Sequence, residues 1–511
     1  MSNERLDALT SWHADWKGLR VAVLGLSVTG FAAADTLAEL GADVLVLSES
    51  AAEEYQRLLP VIGARLELGP LDAPPEALRD FAPDVVVASP GFSPSHPLIR
   101  WAQDVGIALW GDVELAWRVR DKVVRGDGTP AEWVLITGTN GKTTTVQLTA
   151  TLLVEGGLRA APCGNIGIPV LDAVRDPAGF DVLVVELSSH QLWYIGQSSK
   201  AGELVPYSSV CLNLADDHLV WHGSAEAYRD AKAFVYRNTR VACVYNKADL
   251  ATRTMVEDAE VIDGARAIGF DLGVPGPSDL GVVDGILVDR AFHDDRAHSA
   301  LEVTTVDALA AAGLAAPHIV QNILAASALA RSLGTPPEAI QRALESFHLD
   351  AHRIQVVARH RGVTWINDSK ATNPHAAASS LRAYPGAIWV VGGDLKGVDV
   401  SDLVADAGRS ASAAIIIGVA REEVVTAFAR HAPAVPVFEA VTGETDEVMT
   451  RVVEIAAGIA AEGGTVLLAP AAASFDQFTS YADRGHRFTE AVQNLIDRGS
   501  TDDTGLPPTA H

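Results

Sequence analysis

Residues 133–147 read WVLITGTNGKTTTVQ, and they decide the fold. Trp133 to Ile136 form a short apolar run that predicts a buried strand. Gly138, Thr139, Asn140 and Gly141 follow as a loop of small and turn-forming residues. Lys142, Thr143 and Thr144 then open a helix. Strand, glycine loop and helix together make a cradle for phosphate: backbone N–H groups converge, the helix dipole favours negative charge, and the lysine adds a cation. A hydroxyl directly after the lysine, here Thr143, is the usual Mg²⁺ ligand of such loops. The common pattern has a glycine five residues before Gly141, where this chain has Ile136. The bland alternative is a tight turn with a surface lysine, but the strand–loop–helix setting favours a nucleoside triphosphate.

Upstream, Leu19 to Leu47 reads as strand, turn, helix and strand, a βαβ unit with Gly25 and Gly30 flanking the turn. A dinucleotide fingerprint needs glycine where Ser27 stands and an acid where Ser48 ends the second strand. A nicotinamide dehydrogenase is thus weakly supported. A phosphate or diphosphate near Ser27 to Gly30 is expected, against the alternative of a purely structural unit. Asp84 to Ala88 is another strand, and the loop SPGFSPSHP after it lies where α/β folds place ligands. The stretch Arg118 to Thr129 reads as a linker.

Downstream, Asp181 to Val185 is a buried strand ending in Glu186, placed to reach Mg²⁺ directly or through water. Val210 to Leu214 reads as a strand followed by ADDH, which carries Asp217 and His218. Ser224 to Asn238 is helical and carries Lys232. His318 to Leu333 is a helix bearing Asn322. Asp249 to Val306 is rich in Gly, Asp and Pro, and its acidic part, Asp284 to Asp295, reads as a solvated face or a β-rich insert. From Asp350 onward, WINDSKATNP, AIWVVGGDLKG, AAIIIG and TVLLAPAAASFDQF are strand–loop units of a third α/β region.

The fold class is therefore α/β in three domains: a Rossmann-like N-terminal domain (1–121), a central P-loop domain with a mostly parallel sheet (122–349), and a Rossmann-like C-terminal domain (350–497). A polar tail (498–511) is expected to be disordered. At 511 residues several domains are needed. A formal charge of −26 argues against a sequence-independent nucleic-acid binder. Three scattered cysteines, Cys163, Cys211 and Cys243, fit a reducing cytosol without disulfides. The N-terminus lacks a signal peptide's apolar core, and no apolar run spans a bilayer. A cytoplasmic monomer with no nucleic-acid or membrane partner is expected.

Several of these stretches, in this order, resemble the Mur ligases, the ATP-dependent amide ligases that build the peptidoglycan peptide. They are GTNGKTT at Gly138, ELSSHQL at Glu186, the interval from His218 to Lys232, and HRIQ at His352. NDSKATNP at Asn367 and ASFDQF at Ala473 resemble the branch that adds D-glutamate. The resemblance implies that ATP phosphorylates the terminal carboxylate of UDP-MurNAc-L-Ala and that the amine of D-glutamate attacks the acyl phosphate. It implies ATP contacts from Gly138, Thr139, Asn140, Gly141, Lys142, Thr143, Thr144, Asn322, Arg353 and Asp368. Catalytic roles fall to Lys142, Lys232, His218 and Asn165, and Mg²⁺ contacts to Thr143, Glu186, His218 and a carbamylated Lys232. Ser27, Thr29, Gly30, Ser89 and Gly91 match the uridine-nucleotide pocket. Lys370, Thr372, Lys396, Ser474 and Tyr481 match D-glutamate positions. Three departures stand out: Ile319 where an adenine partner is expected, Ser48-Glu49-Ser50 where an Asp-Thr-Arg is expected, and Tyr481 where phenylalanine is expected. Two other readings stay open: a different Mur or folate-type ligase, and a P-loop regulatory switch that ligates nothing.

Overall fold

The computed structural model describes residues 3–441 and 447–502, without the side chains of 3 and 499–502. The chain forms two compact units, Met1–Phe347 and His348–His511. The first unit contains two sheets and the second contains one.

The first sheet is built from β1 (Arg20–Leu24), β2 (Asp43–Ser48), β3 (Arg65–Leu68), β4 (Val85–Ala88) and β5 (Ala108–Gly111) in the order β3-β2-β1-β4-β5. All its pairings are parallel. Its strands are apolar runs because helices cover both faces of such a sheet. The strand order reverses between β1 and β4. This leaves a crevice beyond their carboxyl ends, where ligands of open α/β sheets sit.

The second sheet has nine strands: β6 (Glu132–Thr137), β7 (Ala160–Gly164), β8 (Val182–Glu186), β9 (Ser208–Cys211), β10 (Ala242–Asn246), β11 (Arg266–Phe270), β12 (Asp279–Val283), β13 (Ile286–Asp289) and β14 (Leu301–Thr305). The order is β14-β13-β12-β11-β10-β9-β6-β8-β7. Only the β12–β13 and β13–β14 pairings are antiparallel. The segment left open between Asp249 and Val306 thus extends the central sheet at one edge. Asp289 within its acidic stretch is fully buried and paired with Arg331 at 2.8 Å, so that residue is not solvated face.

Two other expectations change here. Strand β9 is Ser208–Cys211, so Leu212 to Leu214 are loop, and their backbone turns to the phosphate loop: Leu212 N–H donates to Thr137 O, and Thr139 N–H to Asn213 O, both at 3.0 Å. Arg118 is not linker. It ends the helix Asp112–Arg118, is 1% exposed, and donates to Glu114, Leu6 O and Leu9 O beneath the Trp110 ring. A polar letter at the edge of an apolar stretch marks the surface only when no buried acceptors wait for it.

The third sheet, β15 (Gln355–His360), β16 (Val363–Asn367), β17 (Ile388–Gly392), β18 (Ala413–Ile417), β19 (Val437–Glu439) and β20 (Thr465–Leu468), runs β15-β16-β20-β17-β18-β19. It is parallel except at β15–β16. The loops after β16, β20 and β17 therefore lie side by side. The last helix, Tyr481–Asp502, carries through Arg498–Asp502, which sequence assigns to the tail. Extending a formed helix is far cheaper than starting one. The rest of the expected tail, 503–511, lies outside the described residues. No described helix is long and apolar enough to cross a membrane.

Candidate functional site

The central sheet places the phosphate loop between two loaded neighbours. β6 pairs with β8 and β9, so the loop at 138–141 emerges beside Glu186 on one side and Asn213 on the other. Gly141 adopts φ +84°, and a Cβ there would lie 2.6 Å from Asn322 Oδ1. Glycine is required twice over, by backbone conformation and by the buried helix Pro317–Ser332 that brings Asn322 against the loop. Asn322 thus contacts the phosphate loop itself, while Ile319 is core. Lys142 opens the helix Lys142–Glu155 and folds back to donate to Gly138 O (2.9 Å) and Thr139 O (3.0 Å). Thr143 and Thr144 are buried in the first turn.

Sequence reasoning missed the groups that stiffen this loop. Asn213 accepts from Asn140 N–H at 2.9 Å and donates to Asn140 O at 3.0 Å. The Thr139 hydroxyl lies 2.9 Å from the Tyr228 hydroxyl and accepts from Ala215 N–H at 2.9 Å. An asparagine two residues past a strand neighbouring the glycine loop was the available signal for Asn213. Tyr228 carried none.

Glu186 ends β8 and is 2% exposed. Its Oε1 accepts from Asn165 Nδ2 at 3.0 Å, while its Oε2 is buried with no hydrogen-bond partner. A buried carboxylate oxygen left unsatisfied costs free energy unless a cation or a donor meets it. Lys232, 1% exposed, donates to Gly138 O at 2.9 Å and Thr137 Oγ1 at 3.3 Å, so its amine touches the phosphate loop. Burial first, then the nearby Lys142 charge, pull its pKa down to about 7.

His218 is exposed and left-handed at φ +53°, with Nε2 3.6 Å from Asp217 Oδ2. Its ring meets His190 edge-on at 4.7 Å, and His190 stacks on Trp221 at 4.3 Å. Burial holds His190 and His222 as neutral imidazoles, down to about 3 and about 4. Among the described residues no three His, Cys, Asp or Glu side chains form a ready metal cage. Of the expected set, the structure thus supplies a carboxylate with a vacant oxygen, a threonine hydroxyl and a lysine. The set fits a hard cation only with oxygens from phosphate, water or a modified lysine.

In the first sheet, Ser27 to Gly30 follow β1 and Ser89 to Gly91 follow β4, on either side of the crevice. Ser27 caps the helix Val28–Glu39 without spending its hydroxyl on the backbone. A Cβ on Gly30 would collide with Gly25 O and reach within 3.3 Å of Ser89 Oγ. That Ser89 Oγ is buried and unpartnered. Thr29 sits half-buried in the same first turn. Ser48 is structural: its hydroxyl accepts from Leu26 N–H at 3.2 Å and donates to Ser50 O at 2.7 Å.

In the second unit Asp368 is buried after β16, where it accepts from the Ser380 hydroxyl and from Ile354 N–H (3.2 Å). Burial raises its pKa, opposed by those bonds and by the Arg353 charge. Asp368 is buried, so it is not half of a solvated pair with Lys370, whose Nζ lies 5.0 Å over the Tyr481 ring. Lys396 is exposed, left-handed at φ +50°, and 5.7 Å from the Phe475 ring. Ser474 is buried and Thr372 half-buried. Lys370 and Thr372 follow β16, Ser474 follows β20 and Lys396 follows β17, so all sit on the three adjacent loops. Sequence reasoning missed Arg484, which is fully buried under two of these loops. On an amphipathic helix it reads as a surface cation.

Known proteins resemble this chain in sequence and in fold. Residues 136–330 match the Mur ligase middle domain, and residues 352–472 match the Mur ligase glutamate ligase domain. The UDP-N-acetylmuramoylalanine–D-glutamate ligase of Leifsonia xyli is 61% identical over 98% of this chain and 97% of its own. The ligase of the same name from Tropheryma whipplei (strain Twist) is 47% identical, over 97% and 99%. In fold, the chain is similar to the UDP-N-acetylmuramate-alanine ligase of Thermotoga maritima, with a TM-score of 0.53 at 18% identity over 93% of this chain and 99% of that one. On the order of its motifs, its three sheets and these matches, the chain belongs to the Mur ligase family.

Proposed function

We propose that this protein joins D-glutamate to UDP-MurNAc-L-Ala at the expense of ATP, in cytoplasmic assembly of peptidoglycan precursors. The observation that carries the reading is the 61% identity to a D-glutamate ligase over nearly the whole chain. It is supported by the two D-glutamate motifs lying on adjacent loops of one sheet.

The reaction must overcome the repulsion of three anions and the poor electrophilicity of a carboxylate. The γ-phosphoryl group moves to the alanyl carboxylate and ADP leaves. The amine of D-glutamate attacks the acyl carbon and loses a proton, and the tetrahedral intermediate expels phosphate to leave an amide. The backbone N–H groups of 138–144 hold the triphosphate, and Lys142 swings from the carbonyls it now meets to the phosphate oxygens. Asn322 supports the loop from behind. Asn165, tied to Glu186, and His218 are assigned to the reacting carboxylate. Arg353 and Asp368 are assigned to nucleotide contacts. Ser27, Thr29, Gly30, Ser89 and Gly91 take the diphosphate and uridine end of the acceptor. Lys370, Thr372, Lys396, Ser474 and Tyr481 take the amino acid.

Thr143 and the vacant Oε2 of Glu186 are the groups that would hold Mg²⁺, which when bound neutralises charge on the phosphate oxygens. We assign Lys232 to carbamylation on its burial against the phosphate loop. Its neutral amine adds CO₂ and releases a proton, so a buried cation becomes an oxygen-bearing anion while one N–H stays to hold Gly138 O. A signal from ¹³C-bicarbonate on the wild type, lost in Lys232→Ala, together with partial rescue of that variant by acetate, is the expected result. Near-wild-type activity of Lys232→Ala without acid overturns it.

The reaction itself is tested by phosphate release with UDP-MurNAc-L-Ala, ATP and either isomer of glutamate. Turnover with D-glutamate and little with L-glutamate is expected. Equal rates, or preference for a diamino acid, exclude the reading.

A further inference from the structure

Arg484 is 0% exposed, and its hydrogen bonds go to a hydroxyl and to backbone carbonyls rather than to a carboxylate, with Asp476 as the nearby charge that favours its ionised form. Burying a guanidinium without a counter-ion bonded to it is costly unless its N–H groups are all put to use. Here they are. Nε donates to Ser369 Oγ at 3.0 Å and Nη2 to Ser369 O at 2.8 Å. Nη1 donates to Ala472 O at 3.1 Å and, more weakly, to Ala473 O at 3.4 Å. Burial draws its pKa down to about 10, which still leaves it charged at neutral pH.

The acceptors belong to two loops on neighbouring parallel strands. Ser369 lies after β16, between Asp368 and Lys370. Ala472 and Ala473 lie after β20, directly before Ser474. The Ser369 hydroxyl passes the connection on by donating to Tyr481 O at 2.7 Å, at the start of the helix that bears Arg484. One planar group thus fixes the relative height of the Lys370 loop, the Ser474 loop and Tyr481. Asp368 does not depend on it, being held by Ser380 and Ile354 N–H.

We propose that Arg484 is a positioning residue for the amino-acid substrate, setting the distance between the two loops that bind its carboxylates and so favouring a short dicarboxylate. The inference rests on the D-glutamate reading above. Lysine cannot replace it, because an ammonium lacks the planar fork that reaches both loops at once.

The test is steady-state kinetics with each substrate varied in turn. Arg484→Lys is expected to raise KM for D-glutamate about tenfold or more, with KM for ATP and for UDP-MurNAc-L-Ala within about twofold, as fits the loss of charge-assisted hydrogen bonds. Arg484→Ala is expected to show a larger rise, partly reversed by millimolar methylguanidine. Should Arg484→Ala fail to fold, Ser369→Ala replaces it: the Nε acceptor and the Tyr481 tie disappear, and KM for D-glutamate alone rises roughly threefold to tenfold. A KM for D-glutamate unchanged in Arg484→Lys, or three KM values rising together, overturns the inference and leaves the D-glutamate reading intact. Wild-type protein that does not consume D-glutamate sinks both, and that control is read before any variant.

Discussion

On the function proposed above, the phosphate loop of the first unit and the amino-acid loops of the second solve the same problem, binding an anion, by opposite means. At 138–144 the binding groups are backbone N–H donors in one continuous turn, and the side chains around it serve to hold that turn. Asn213 braces Asn140, Tyr228 meets Thr139, and Asn322 closes on Gly141. Around β16, β20 and β17 the binding groups are side chains on three separate loops, and one buried guanidinium fastens two of them. A backbone site is intolerant of added atoms but indifferent to distant side chains. A side-chain site depends on whatever sets the spacing of its loops.

The largest effect should come from breaking the backbone site at its one essential side chain. Lys142→Ala is expected to cut the rate of phosphate release by about 10³-fold, on the scale of losing a preorganised charge at a developing phosphate charge. Loss of only a few fold would mean that the N–H groups suffice alone. Next comes Gly141→Ala. The added methyl meets Asn322 Oδ1 and strains a left-handed residue, so a stability loss of about 1–3 kcal/mol and a fall in ATP affinity of roughly tenfold or more are expected. Asn322→Ala in the same chain removes the collision but not the strain. A thermal-denaturation cycle that recovers nothing would assign the whole cost to backbone conformation. In the second unit Ser474→Ala should raise KM for D-glutamate by about fivefold to tenfold, the scale of one hydrogen bond to a charged group, with the ATP constant unchanged. A change in KM for ATP instead would place Ser474 outside the amino-acid loops.

The contrast also explains what could be read from sequence. Gly138 to Thr144 was legible as a glycine loop between strand and helix because the pattern is local: the same seven residues make the turn and open the helix. Glu186 stood out through its setting, because a strand-end carboxylate alone reads as surface and only the neighbouring P-loop strand singles this one out. Its neighbour Asn213 did not, because asparagine after a strand is an ordinary turn residue. Arg484 was out of reach for a different reason. Its partners are one hydroxyl and three backbone carbonyls 11 to 115 residues away, and carbonyls leave no mark in a sequence. The antiparallel edge β12–β14 was legible only as the β-rich alternative for Asp284 to Asp295, since the Asp284-Gly285 turn of its first hairpin reads in composition as loop. Arg118 and Asp112 show the limit most plainly, as both are charged letters in a helix that turn out to be core.

Asp112 sharpens the comparison because it is the first unit's counterpart of Arg484: a buried charge, here negative, with a neutral amide for a partner. It opens the helix Asp112–Arg118 after β5 and accepts from Gln191 Nε2 at 3.0 Å. Gln191 in turn accepts from Ser188 N–H at 3.1 Å, two residues past Glu186. Burial raises the Asp112 pKa from 3.8 to about 6, opposed by the Gln191 bond. The folded chain therefore holds this proton more tightly than the unfolded chain. The stabilisation is fully present below about pH 3.8 and is lost as pH rises through about 6, with a span of roughly 1–3 kcal/mol. Asp112→Asn keeps an acceptor for Gln191 and cannot ionise. Relative to wild type it should gain thermal stability between pH 5 and pH 7.5, with little change in kcat, making it the smallest of these effects on catalysis. A difference in melting temperature that stays constant across that range would show that the carboxylate ionises normally. The buried guanidinium of the second unit would then have no acidic counterpart in the first.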